Sequence, residues 1–252
     1  MKRLIIEIQK GGLGDHLFYS HLPRIAKQTG CYDEVYISNR SIFRNTDYKK
    51  LIWEMNPFVD GFTNEPGIFF YPDHVASNLN LLDKMMLLYG MDDGKRFHEP
   101  EIYYKPPVNT SLKESSVYDP NYVSYIGDLR NSKPIENWLF ENKVTISHQM
   151  KTLKASHLTI ACSDRIETPS LMEFCSVIIS CKKLYCLTSG TATLAAALQK
   201  PATVFFGSGQ ENMYHHSPMH NYIDLGSNYN LPHKLKKQIK LWLNTFIRIG
   251  TP

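Results

Sequence analysis

An apolar, β-rich run from Arg3 to Gln9 breaks at once into Lys10-Gly11-Gly12-Leu13-Gly14-Asp15. After it Leu17, Phe18, Leu22 and Ile25 recur at helical spacing, which predicts a helix over Asp15–Gln28. A second short apolar strand, Glu34 to Ser38, follows. Strand, glycine turn, helix, strand is a βαβ unit. It needs a parallel sheet, and a parallel sheet needs cover on both faces.

The rest of the chain keeps the alternation. The pattern predicts a helix over Lys49–Met55 that stops at Asn56-Pro57, a strand over Ile68–Tyr71 and a helix over Asn78–Tyr89 that stops at Gly90. Phe97 to Ser116, with Pro100, Pro106 and Pro107, has little periodicity and reads as a linker. Beyond it come predicted strands at Tyr122–Ile126, Leu158–Cys162, Leu184–Leu187 and Ala202–Phe206. Between and after these lie predicted helices at Ile135–Asn142, Ser170–Ser180 (capped at Thr168), Ser189–Gln199 and Lys234–Arg248. The class is α/β, divided into lobes 1–115 and 116–252.

Composition narrows the function classes. The 252 residues are 42% hydrophobic and 21% charged, which is globular rather than disordered. A net charge of +4 is too small and too dispersed for a dedicated nucleic-acid binder. No apolar run approaches the roughly 18–20 residues of a membrane span. The apolar core Leu4–Ile8 is shorter than the h-region of a signal peptide, roughly 7–15 residues, so a cytoplasmic protein is expected. The five cysteines show no C-x-x-C spacing and read as reduced, mostly buried thiols.

Two loops can carry chemistry. In the first, Gly11, Gly12 and Gly14 let the backbone bend and approach a ligand, beside the free N–H groups of a helix start. The spacing is neither G-x-G-x-x-G nor a phosphate loop. Asp15 reads equally as a helix cap or as a carboxylate at the ligand-binding edge of the sheet. His16 reads first as a structural residue. In the second loop, Thr188-Ser189-Gly190-Thr191 turns a strand into an Ala-rich helix. Small hydroxyls and free N–H groups there make a phosphate cradle, although a plain βαβ turn with a Ser/Thr cap explains the same residues.

Taken together, the segments Gly11–Lys27 and Thr188–Pro201 with Phe206-Gly207 resemble glycosyltransferase family 9, the heptosyltransferases of bacterial surface polysaccharide. The resemblance implies a GT-B fold: two Rossmann-like lobes with parallel sheets facing across a cleft, here shortened relative to the family. It implies a metal-independent, inverting transfer from a nucleotide sugar, ADP- or GDP-linked, with no other cofactor. The acceptor would be a glycan or lipid-linked glycan held by the first lobe beside the Gly11, Gly12, Gly14 and His16 loop. Asp15 would be the general base, and Thr188, Ser189, Gly190 and Thr191 the diphosphate seat. Arg130 and Lys133 stand near the place of the family's donor lysine, with solvated surface charge as the competing reading. Glu211, with His215 and His216 as secondary candidates, follows the last core strand. The family's Asp and His are replaced here by Thr188 and Thr193.

Three other readings stay open. The chain is short for the family and reads alternatively as a non-catalytic, nucleotide-sugar-binding partner subunit. A GDP-fucose-dependent fucosyltransferase shares a similar glycine turn, and a nucleotide-sugar epimerase shares the fold class. The basic, amphipathic stretch Lys234–Arg248 is expected either to close a lobe or to rest on an anionic membrane surface.

Overall fold

In the computed structural model residues 1–70, 78–122, 126–152, 157–162 and 164–226 are described. The N-terminal run forms β1 (Arg3–Ile6), which pairs in parallel with β2 (Glu34–Ser38). β2 pairs in turn with β3 (Gly61–Thr63), a strand too short to show in the sequence pattern. On the other side of β1, Ile68 makes a parallel bridge to Ile6. The strand order therefore reverses direction at β1, which makes the end of β1 the switch point of this sheet.

The predicted single helix after β1 is two. α1 (Leu13–Leu17) ends in a turn where the Ser20 hydroxyl donates to the Leu17 carbonyl, and α2 (Leu22–Gln28) restarts with Pro23 in its first turn. Proline has no N–H to continue the α1 ladder and suits a helix start. Next come α3 (Thr46–Tyr48), which runs straight into a wider-wound turn over Lys49–Glu54, and α4 (Leu81–Leu88), capped by Asn80. In this lobe Leu4, Ile6, Leu17, Leu22, Val35, Ile37 and Trp53 are fully buried.

The second sheet has six parallel strands in the order β6-β5-β4-β7-β8-β9. They are β4 (Ser116–Asp119), β5 (His148–Met150), β6 (Asp164–Ile166), β7 (Lys183–Leu187), β8 (Ala202–Phe206) and β9 (Asn221–Asp224). The order runs outward in both directions from the β4–β7 pair, the doubly wound pattern, so its switch point lies there. α6 (Leu171–Ser180) and α7 (Gly190–Ala197) share the large core with the first lobe, and α5 (Lys133–Glu141) covers a second core of Tyr118, Tyr185 and Phe205. The predicted strand Leu158–Cys162 is irregular where described, and Asp164–Ile166 takes the edge position instead. Ser170, not Thr168, caps α6, accepting from the Glu173 N–H. The predicted strand Tyr122–Ile126 lies partly, and the helix Lys234–Arg248 wholly, outside the described residues. Among the described residues no helix is long and apolar enough to cross a membrane.

Candidate functional site

The two glycine-bearing turns end at one place. α1 packs on α7, and a Cβ placed on Gly190 would stand 3.0 Å from the Gly14 backbone nitrogen and 3.1 Å from Leu13 Cβ. A side chain at Gly190 would have to push these neighbours back by a few tenths of an ångström. The switch-point edges of the two sheets thus face each other, and each brings its own set of polar groups.

On the first side, Asp15 lies in the first turn of α1 and accepts the Gly12 N–H at 2.9 Å. Its carboxylate both caps the helix and lines a cavity of about 60 Å³. Ile8, Lys10, Phe18, Tyr19, Phe69 and Phe70 line the cavity from this lobe, and Met213 and Tyr214 close it from the other. Burial pushes the Asp15 carboxyl above the usual range, while the Gly12 N–H, Lys10 and Arg44 hold it partly down. A carboxylate made more basic by burial is a better proton acceptor. Gly11, Gly12 and Gly14 shape this turn but present no side chain.

His16 does not reach the cavity. Its ring is fully buried, stacked on Phe43 with centroids 4.7 Å apart. Nε2–H donates to the Ile42 carbonyl at 2.9 Å and Nδ1 accepts the Trp53 indole N–H at 3.1 Å. Both ring nitrogens are used by the neutral form, and burial lowers its pKa to about 4. His16 pins α1 to the wider-wound turn.

On the second side, Ser189 caps α7 through its hydroxyl, which accepts the Thr191 N–H at 3.3 Å. Thr188, Ser189 and Gly190 are half-buried at the strand end, while Thr191 and Thr193 are buried. Thr193 turns its hydroxyl to the Ser189 carbonyl at 3.4 Å. Behind them stands Asp119, the last residue of β4 and only 1% exposed. It accepts the Thr191 hydroxyl, and also the Asn121 backbone N–H at 3.1 Å and side-chain amide at 2.6 Å. Burial raises its pKa despite these bonds. The sequence reading missed Asp119; an aspartate closing an apolar strand run at the switch point was the available signal.

Arg130, Lys133 and Glu211 are exposed and have no ion-pair partner among the described residues. The structure does not bring them into contact with one another or with Asp15. Their loops are tied, however: the Asp128 N–H donates to the Ser208 carbonyl at 3.1 Å and the Gly207 N–H to the Ile126 carbonyl at 2.8 Å. They stand on the same sheet edge as Ser189. His216 is buried beside Phe18 at the lobe seam.

Two parallel sheets, of three and six strands, with opposed switch-point edges match the GT-B class of fold. No protein-family model and no curated protein sequence matches the chain. Solved structures do match. The iron-containing, dodecameric heptosyltransferase TibC, solved with ADP-D-β-D-heptose, agrees with a TM-score of 0.61 at 12% identity, over 87% of this chain and 62% of TibC. The glycosyl transferase family 9 structure from Veillonella parvula gives 0.60 at 9% identity, over 95% of this chain and 89% of that one. The E. coli heptosyltransferase WaaC with ADP gives 0.54 at 11% identity, over 94% and 99%. The chain has the fold of these heptosyltransferase and family 9 glycosyl transferase structures. It spans less than two thirds of TibC's length. Among the described residues, no three His, Cys, Asp or Glu side chains come together as a metal site would need.

Proposed function

We propose that this chain is a glycosyltransferase using a nucleotide-sugar donor, with lobes 1–115 and 116–252 holding acceptor and donor respectively. One observation carries the reading: Asp15, made more basic by burial, faces a cavity at the seam where the α7 turn arrives from the opposite lobe. An inverting transfer needs such a base at the acceptor hydroxyl. It also needs positive potential at the departing diphosphate, which the start of α7 and the uncommitted Arg130 and Lys133 supply without a metal. The cavity of about 60 Å³ is well below the roughly 300 Å³ of a ligand pocket, so the reading requires it to widen when an acceptor enters. The ADP and ADP-heptose held by WaaC and TibC favour an ADP-linked donor, with GDP as the second choice. A surface glycan or lipid-linked glycan as acceptor, a cytoplasmic location and membrane contact through Lys234–Arg248 belong to the same reading.

A thermal-shift screen of ADP-, GDP-, UDP- and CMP-sugars tests it. One nucleotide series should raise the melting temperature at millimolar concentration; no shift with any of them ends the proposal. The second reading, a nucleotide-sugar-binding subunit without turnover, is favoured by Thr193, whose hydroxyl is spent on the Ser189 carbonyl. Donor hydrolysis that disappears in Asp15→Asn would exclude it.

A further inference from the structure

The segment 41–54, between β2 and β3, grips the Asp15 turn on both sides of the carboxylate. Ahead of Asp15, the Arg44 N–H donates to the Gly11 carbonyl at 3.3 Å and the Ile42 N–H to the Ile8 carbonyl at 2.8 Å. A Cβ on Gly11 would stand 2.6 Å from both the Ile42 carbonyl oxygen and its side chain, so the segment presses directly on this turn. Behind Asp15, the His16 ring donates to the Ile42 carbonyl, stacks on Phe43 and accepts the Trp53 indole N–H. The carboxylate thus sits between two handles, Gly11 and His16, that one segment holds.

The same segment reaches the other lobe. In α3 the Asn45 side chain accepts the Asp47 N–H at 2.8 Å, which fixes that residue's backbone. The Asp47 carboxylate accepts the N–H of Leu171, the first residue of α6 and 124 positions away, at 2.9 Å. A negative group suits a helix start, and a hydrogen bond to a charged group is a strong one. Ser170 at the same helix mouth serves a different donor, the Glu173 N–H. The far half of α6 is tied to the linker: the Ser180 hydroxyl accepts the Asn109 N–H at 2.7 Å and Ser176 donates to the Pro107 carbonyl at 2.6 Å. Asp47 is therefore the charged contact through which a displacement of the second lobe would pull on the segment that frames Asp15.

We propose that Asp47 is a positioning residue for Asp15: its bond to the start of α6 holds segment 41–54 in place while the lobes are together, and the segment in turn holds Gly11 and His16 on either side of the base. When the lobes part the bond breaks and the Asp15 turn loosens, so the base is aimed only in the closed form. The word base rests on the glycosyltransferase reading; the mechanical coupling does not.

Amide hydrogen exchange of the full chain, read by mass spectrometry, tests the coupling. Asp47→Ala should speed exchange at the start of α6 by about tenfold, the worth of one hydrogen bond to a charged group. It should do the same in residues 11–18, where the Gly12 N–H held by Asp15 is the reporter. Ser170→Ala strips the other cap from the same helix mouth without touching the segment; it should loosen 170–173 and leave 11–18 unchanged. Asp47→Asn keeps an acceptor without the charge and should fall between, and it answers the question where the Ala variant fails to fold. In spectra of the chain labelled with ¹⁵N-tryptophan, the Trp53 indole N–H signal, set by its bond to His16, should shift in Asp47→Ala and stay in place in Ser170→Ala. Unaltered exchange at 11–18 in both Asp47 variants, or an equal rise there in Ser170→Ala, overturns the proposal. Turnover of whichever donor the nucleotide screen finds should fall about tenfold in Asp47→Ala through kcat, with KM held, by the same loss. A raised KM with kcat intact would give Asp47 to substrate binding instead and also overturn it. If no nucleotide binds to any chain while the exchange pattern appears as expected, the glycosyltransferase reading fails and the coupling stands.

Discussion

The two turns that meet at the lobe seam begin their helices in opposite ways. α1 is capped by a carboxylate from its own first turn, Asp15, which also faces the cavity. α7 is capped by the neutral hydroxyl of Ser189, and its carboxylate, Asp119, sits a layer back and reaches the helix only through Thr191. A negative group at the mouth of α1 repels an incoming anion and suits it to take a proton. A neutral hydroxyl at the mouth of α7 takes only the Thr191 N–H and puts no negative charge in the way of a phosphate. One architecture thus yields a basic turn and an anion-receiving turn, and the division of labour follows from where each carboxylate stands.

Removing the carboxylate from the first turn should have the largest effect. Asp15→Asn keeps the shape and should lower donor turnover by about 10²–10⁴-fold, the worth of a general base, with nucleotide affinity nearly unchanged. Coupled-assay kinetics beside nucleotide titration would show the split; equal losses in both would erase the contrast between the turns. Next in size, Thr191→Val strips one partner from the buried Asp119 and should cost about 1–3 kcal/mol in urea unfolding. Asp119 has a raised folded pKa, so its contribution is fully present below the unfolded value near 3.9 and is lost as pH rises through the folded one. The Asp119→Asn chain should therefore show a shallower fall in stability over that window when melted as a function of pH.

The seam itself separates the two glycines. Gly190→Ala drives a Cβ to 3.0 Å from backbone, whereas a Cβ on Gly14 has its nearest neighbour at 3.4 Å, an ordinary contact. The first should cost about 1–2 kcal/mol; the second should be near neutral, since Ala also favours the helix. Equal melting temperatures for the two variants would show that the lobes do not press together here. The smallest effect is expected from Ser189→Ala, about 1 kcal/mol for a lost cap. Calorimetric melting of that variant with and without nucleotide would tell whether the hydroxyl also touches the ligand.

Much of this was legible in the sequence because the signals were local. The strands Glu34–Ser38 and Ala202–Phe206 and the Ala-rich helix declare themselves by period and composition and appear within two residues of their expected places, while β1 starts where expected and ends three residues before Gln9. The break between α1 and α2 was harder, since Leu17, Phe18, Leu22 and Ile25 keep helical spacing across a turn that Pro23 and the Ser20 hydroxyl impose. Strands of three residues, such as Gly61–Thr63 and His148–Met150, carry too few side chains to show an alternation. In the site, Asp15 stood out because glycines flank it. Asp119 did not, because what marks it is a partner across the sheet in Thr191.

The pairing of β4 with β7 has a consequence for how the chain reaches this structure. β1, β2 and β3 are near neighbours in sequence and can assemble while synthesis continues. β4 is the seed of the second sheet, yet Asp119 must wait for Cys186 to emerge before its inner edge is covered. Contacts that span so much chain form late and slowly. Until then β4 has an open edge, a place where a chaperone or a second nascent chain would find it first.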